Sequence, residues 1–556
     1  MKKTIYYILL CIGLICSPYV NGQVIDKNAL EDKIDALIPS QVNDSTPGLV
    51  IGIVQKGELI FSKGYGLANL SYGIPNDPQM VYNIGSVSKQ FLGYAFAMLD
   101  VEGKLSIDDP VNKYMEDWPE FEHTVTLRHL LTHTSGYREA YTMSNLAGRR
   151  IGVDRLSREE CLEVVRKQPQ LEFVPGSRHT YNSTAWVILA EVLEKVMGQS
   201  ADEWVETNIL QPLEMHDTQI ESYVGEVINN TAESYSYNKE RGYRNEESNR
   251  AIFGAAEVYT SIQDLVKWIN NYRTAEVGGK AVNDLFLDPF IFNNGLNNGL
   301  NSEYALGIGN STYRGLKRYR HTGGHEAFQT QLSYYPDQDL GIITISNFGG
   351  RGRLATSKVA ELLLEEQMTS QELKKSPKVK IEKDKLEQFA GLYLSPTFNN
   401  GTFNLTIVKD TLTYNGSNKL IPTSQNTFWI NGPNVELKFE HLSKEKIEYT
   451  GPSGTKYILT RIDKWTPNKS ELSSFEGDYR SDELETDYHL IVKEEKLTIQ
   501  HRWNDDIVLD PISKDFFKTN RGYTVKFNRN SEGDILGLSI NSGRTVNVIF
   551  QRKKQP

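Results

Sequence analysis

The chain has 556 residues, with 61 Lys and Arg against 71 Asp and Glu, a formal charge of −10, and 39 % hydrophobic residues. At that length two or three domains are expected, and an acidic balance with scattered basic residues argues against a nucleic-acid partner. Of the 3 cysteines, Cys11 and Cys16 lie near the N-terminus, so a disulfide framework is excluded and Cys161 is expected as a packed small apolar side chain.

In chain order, Lys2 and Lys3, an apolar run from Ile5 to Ile15 and then Val20-Asn21-Gly22 read as a signal peptide over residues 1–22, too short to span a bilayer. No later stretch is long and apolar enough for a membrane helix. The mature protein is therefore expected in a periplasm or outside the cell, without an integral membrane segment. Residues 23–366 mix short alternating strands with amphipathic helices, such as Ala185 to Val196 closed by Gly198. The polar stretch 367–385, containing Lys374-Lys375-Ser376-Pro377, reads as a linker. Beyond it, short alternating runs rich in Thr, Tyr, Ile and Val predict antiparallel β structure. That region repeats. Leu386, Phe389, Gly391, Tyr393 and Ser395 recur 86 residues later as Leu472, Phe475, Gly477, Tyr479 and Ser481. Two β units, 386–463 and 471–556, follow, each expected as half or whole of a small barrel resembling lipocalin-like appendages and serving as a packing or lid module.

Chemistry concentrates in the first domain. Ser86-Val87-Ser88-Lys89 stands where the pattern turns helical, with apolar residues at Phe91, Leu92, Ala95, Phe96 and Leu99, so Ser86 and Lys89 share a face. A serine hydroxyl is a weak nucleophile and needs a base, which an unprotonated lysine one turn away supplies. It also needs donors for the oxyanion formed on its target, and N–H groups at a helix start supply part of these. The histidines His129 and His133, and His321 and His325, stand four apart. The zinc-protease pattern needs Glu after the first histidine, but Leu130 and Thr322 are there, so no metal and no cofactor is expected.

Several further segments, from about Leu49 to Ala360, resemble the serine β-lactamases and penicillin-binding-protein-like hydrolases, on the class C β-lactamase branch. They are Gly57 to Gly66 with Lys63-Gly64-Tyr65-Gly66, Tyr82 to Gly85 leading into Ser86, Gly103 to Val111, and Val125 to Gly136. Phe173-Val174-Pro175-Gly176 leads to Tyr181-Asn182-Ser183, in the frame of the family's Tyr-x-Asn motif, and His321-Thr322-Gly323-Gly324 stands for its Lys-Thr-Gly. The resemblance implies an α+β fold, an antiparallel sheet flanked by helices plus a helical subdomain, with the site between them. It implies Ser86 as nucleophile, Lys89 and Tyr181 as proton-transfer groups, and the N–H groups of Ser86 and Gly324 as oxyanion hole. Substrate contacts fall to Ser183, or Asn182 in its place, and to His321, Thr322 and Gly323. His129 and His133 are expected to orient the loop ending at Gly136. A histidine at 321 is mostly neutral at physiological pH, unlike lysine, which disfavours β-lactams as natural substrates. The function expected is hydrolysis of ester or amide bonds in a small-molecule or peptide substrate, such as D-amino-acid peptides. The alternatives are a β-lactamase or D-Ala-D-Ala carboxypeptidase, and a non-catalytic peptide or cell-wall-fragment binder. The run Asn293 to Gly299 reads as a mobile surface loop.

Overall fold

The computed structural model describes residues 27–150, 152–369, 379–395, 402–430, 436–439, 445–451 and 455–554. The expected signal peptide lies outside them, as do residues 370–378 of the expected linker.

A six-stranded antiparallel sheet organises the first domain, in the order Gly309–Tyr313, Leu316–His325, Phe328–Tyr335, Leu340–Ser346, Leu49–Gln55, Glu58–Tyr65. The hairpin between the last two turns through Lys56 and Gly57 with φ of 52° and 86°, the left-handed pair a tight hairpin requires. Because successive side chains point to opposite faces, Leu49, Ile51 and Ile53 pack with Leu340 and Ile342 under helices Lys27–Asp35 and Thr356–Leu364. Val50, Ile343 and Ile345 point the other way, into the main core. Gly52 permits helix Ile262–Thr274 to lie on that face, since a Cβ there would stand 2.4 Å from Ile262 Cγ2.

The helix Lys89–Val101 is buried from Lys89 to Leu99 on every side, so the apolar stripe in its sequence marks only part of its buried surface. Helix Thr184–Met197 packs beside it and ends at Gly198 in the left-handed conformation.

Each β repeat is a complete closed barrel of eight antiparallel strands, from Gly391–Leu394 to Lys456–Ile462 and from Gly477–Ser481 to Thr545–Arg552. The repeated residues form one closure device, built twice. Tyr393 donates its hydroxyl to the Phe389 carbonyl at 3.0 Å, and Tyr479 donates to Phe475 at 2.9 Å. Arg461 and Arg552, from the closing strands, lie over these rings. A Cβ at 391 would stand 2.6 Å from Arg461 Nε, so a larger residue there would displace that arginine from its place over the Tyr393 ring. The short helix Lys383–Phe389 crosses the expected linker boundary because Leu386 and Phe389 belong to the first barrel's core. The second barrel takes Met143 and Leu146 of the first domain into its own core.

Candidate active site

Ser86 sits on a single turn of 3-10 helix, Gly85–Ser88, that runs directly into the helix starting at Lys89. Strand Gly309–Tyr313 pairs only with Leu316–Arg320, so the edge of Leu316–His325 beyond Arg320 is free of a strand on that side. That part of the strand lies against the serine turn. A Cβ on Gly323 would stand 1.8 Å from the Ile84 carbonyl oxygen, and one on Gly85 would stand 2.6 Å from Gly324 N. Both glycines are thus required by close approach, and the backbone of Gly323 and Gly324 borders the nucleophile. Ser86, Tyr181, Ser183, Thr322, Gly323 and Gly324 line a cavity of about 490 Å³.

Lys89 is fully buried, with Nζ 3.2 Å from Ser86 Oγ and a hydrogen bond donated to the Ala255 carbonyl. Burial, reinforced by the charge of Arg544, holds its ammonium form far below the usual lysine range, against the weaker pull of Glu139 and Glu257. An uncharged amine has a lone pair free for the serine proton. The Tyr181 ring lies 5.3 Å from Nζ, and its buried hydroxyl lies against Ser86 without a well-formed hydrogen bond to another group. Burial pushes the phenol up to about 12, opposed by Ser86 and Arg544. With burial disfavouring the Lys89 ammonium, its pull on the phenol is weakened and burial favours the protonated form of Tyr181. Ser88, the other serine of the motif, is a structural acceptor for the Val258 N–H at 3.2 Å.

A chain of hydrogen bonds behind Tyr181 fixes two histidine tautomers. Asn182 N–H donates to His133 Nδ1 at 3.0 Å, so the ring proton is on Nε2, which donates to the Tyr304 hydroxyl at 3.2 Å. Tyr304 in turn donates to His321 Nε2 at 2.8 Å, and His321 Nδ1–H donates to the Thr322 carbonyl at 2.7 Å. Both rings are neutral in this pattern, and burial pushes His321 down to about 3. His321 therefore carries no charge into the site, and it borders a second cavity of about 270 Å³ rather than the main one. Tyr304 is a site residue that the sequence reading missed; no motif marked it.

The other predicted residues divide. Ser183 and the exposed Thr322 reach the main cavity. Asn182 does not. Its Nδ2 donates to the carbonyls of Tyr137 and Arg138 at 2.6 and 3.2 Å, and its Oδ1 accepts from Ala185 N–H, which ties down the start of the helix. His129 closes a capping box with Thr126. His325 is remote from His321 in role, packing 3.5 Å from the buried Glu257, with Glu221 adjacent. Cys161 is buried, and burial raises its thiol pKa. Asn293 to Gly299 is no free loop: Asn297 is buried, donates to the Ser177 carbonyl at 2.8 Å and accepts from Lys456 N–H of the first barrel at 2.7 Å.

The second barrel also enters the site. Arg544, in the hairpin between its last two strands, lies over the Tyr181 ring at 4.7 Å and lines the main cavity. Nothing in its local sequence signals this, since the contact exists only once the barrel is docked.

With this geometry stands a match to the Beta-lactamase family over residues 31–365, more than half of the chain, and the protein belongs to that family. Among curated relatives, a D-aminopeptidase of Cereibacter sphaeroides is 25% identical over 339 residues, 60% of this chain and 63% of that protein. Teichoic acid D-alanine hydrolase of Staphylococcus aureus is 26% identical over 263 residues, 46% of this chain and 61% of that protein. The chain thus spans somewhat under two thirds of the length of these relatives. In fold, the octameric penicillin-binding protein homologue from Pyrococcus abyssi superposes with a TM-score of 0.54 at 24% identity, over 79% of this chain and 100% of that one.

Proposed function

We propose that the protein is a secreted serine hydrolase that acylates Ser86 and cleaves ester or amide bonds next to D-amino-acid residues. The observation that carries this is the fully buried Lys89, its ammonium form disfavoured by that burial, within 3.2 Å of Ser86 Oγ, with the Tyr181 phenol beside both. The relatives that act on D-amino-acid bonds, named above, support the substrate class.

Ser86 Oγ attacks the carbonyl carbon while its proton passes to Lys89 Nζ. The oxyanion lies between the N–H groups of Ser86 and Gly324, where loss of one such donor costs about 2.7 to 4 kcal/mol of barrier. As the C–N or C–O bond breaks, the Tyr181 phenol protonates the leaving amine or alcohol and recovers a proton from the Lys89 ammonium. Water then attacks the acyl ester with Lys89 again as acceptor, releasing the acid and free Ser86. A phenol raised to about 12 suits the acid role, and the depressed lysine suits the base role.

A fluorophosphonate probe tests the reading. Labelling is expected in the full chain and in Ser88→Ala, and is lost in Ser86→Ala and reduced by about 10²-fold or more in Lys89→Met. A folded chain with no labelling would establish a non-catalytic cleft. Turnover of nitrocefin faster than of D-alanyl amides would move the substrate to β-lactams.

A further inference from the structure

The main cavity contains an unexplained charge. Its lining includes Arg250, Arg353 and Arg544 and, among the described residues, no carboxylate. Arg250 is paired with Glu326 at 2.6 Å, and Arg353 lies within hydrogen-bond reach of the Gln331 amide. Arg544 is different. Like Arg353 it is exposed and pairs with no carboxylate among the described residues, but its guanidinium lies over the face of Tyr181, beside the nucleophile.

The arginine backbone is nevertheless firmly placed, because the three residues after it are all bound to the first domain. Thr545 Oγ1 accepts from Glu139 N–H at 3.3 Å, Val546 N–H donates to Glu172 Oε1 at 3.1 Å, and the carbonyls of Val546 and Asn547 accept from Arg138. A free guanidinium on a fixed hairpin, over the ring that borders the nucleophile, is a pre-organised anion receptor. It also stands where charge is otherwise missing. Position 321, which resembles the family's lysine position, holds a histidine with both ring nitrogens engaged and no charge.

We propose that Arg544, supplied by the second barrel, binds a carboxylate on the substrate, so that the protein selects peptides whose leaving residue ends in a free carboxylate. The inference rests on the proposed acylation of Ser86. The guanidinium fork matches a carboxylate in two parallel hydrogen bonds, and Tyr181 keeps the arginine stem beside the leaving group it protonates. The barrel is then a wall of the substrate site rather than an appendage.

The test uses the full chain, a neutral fluorophosphonate, and two competing ligands that differ only at one end: N-acetyl-D-alanyl-D-alanine and its C-terminal amide. The acid is expected to slow Ser86 labelling at concentrations about 10- to 100-fold lower than the amide does, the range of one charge-assisted pair. Arg544→Gln should abolish that preference, read as the ratio of acid to amide protection against the variant's own ligand-free labelling rate, while unfolding at a similar temperature. Arg544→Lys should restore part of the preference. Equal protection by acid and amide in the parent protein, or an unchanged preference in Arg544→Gln, overturns the proposal. Absence of labelling in the parent protein instead overturns the hydrolase reading, and this inference with it.

Discussion

The two barrels share one repeated sequence, one strand count and one Tyr–Arg closure, yet they stand in different relations to the catalytic domain. The first meets it through Asn297 and Lys456, and through Tyr457 near the buried Arg178. The second is built into it. Arg138 is 1 % exposed and bridges Glu172 at 3.0 Å and Glu483 of the barrel at 2.7 Å. Met143 and Leu146 fill the barrel's core, Tyr488 donates to the Leu146 carbonyl at 2.7 Å, and Arg544 reaches Tyr181. The residues that close a barrel are thus separate from those that give it a task. The same fold serves as a neighbour in one copy and as part of a catalytic cleft in the other.

Breaking the Arg138 clasp should have the largest effect. Arg138→Met leaves two carboxylates buried against each other's domain without a cation, and such losses cost about 3 to 5 kcal/mol. Burial already pushes Glu172 up to about 7, so part of the cost is relieved by its protonation. Thermal unfolding should show a markedly lower Tm, and the acid preference assigned to Arg544 should vanish with the barrel's placement. A full-strength preference in Arg138→Met would show that the barrel is docked by its remaining contacts, the apolar core residues and hydrogen bonds such as Tyr488 to the Leu146 carbonyl, without the clasp.

Acid should separate the two regions next. In the catalytic domain burial pushes His129 and His179 down to about 4 and His321 to about 3, with His133 and His325 also well below the usual range. In the second barrel burial lowers His501. Each of these rings binds a proton more readily in the unfolded chain than in the fold. Stability is therefore complete above about pH 6.5, where the unfolded histidines are neutral too, and is lost as pH falls from there towards 4. Calorimetry across that window should show the catalytic domain's transition moving down faster than the barrels'. Parallel movement of all transitions would sink the assignment of the acid sensitivity to these rings.

What the sequence disclosed follows from how local each signal is. Ser86 and Lys89 share a turn, and the glycines at 85 and 323 are dictated by the close approach of that turn to one strand, so short motifs carried them. The barrel repeat was legible because Tyr393 and Tyr479 hydrogen-bond four residues back, a contact within one copy. Asn182, expected as a stand-in for Ser183 in substrate contact, lies off the main cavity: its neighbour Tyr181 lines the cleft while its own amide ties down the Tyr137 and Arg138 carbonyls. The Asn293 to Gly299 run looked mobile from composition, but Asn297 spends its amide on two partners far off in the chain. Arg544 and Tyr304 act only through such distant contacts, and periodicity carries no trace of them.

The closure device offers a finer comparison, because it is common to both barrels. Tyr393→Phe and Tyr479→Phe each remove one buried hydrogen bond and should each cost about 1 kcal/mol in their own barrel, with Ser86 labelling unchanged. A larger loss for Tyr479 would mean that docking on the catalytic domain draws on the second closure.

The smallest effect is expected at the first barrel's contact. In Asn297→Ala the buried amide is lost, but its partners, the Ser177 carbonyl and the Lys456 N–H, belong to half-buried residues that water can reach, so the cost should be about 1 kcal/mol or less. Hydrolysis and the acid preference should both be untouched, because Lys456 and the first barrel's strands contribute nothing to the lining of the main cavity. A change in the preference would give the first barrel a hold on the cleft through Ser177 and Arg178, on the same loop as Tyr181, and the two barrels would then differ in degree rather than in kind.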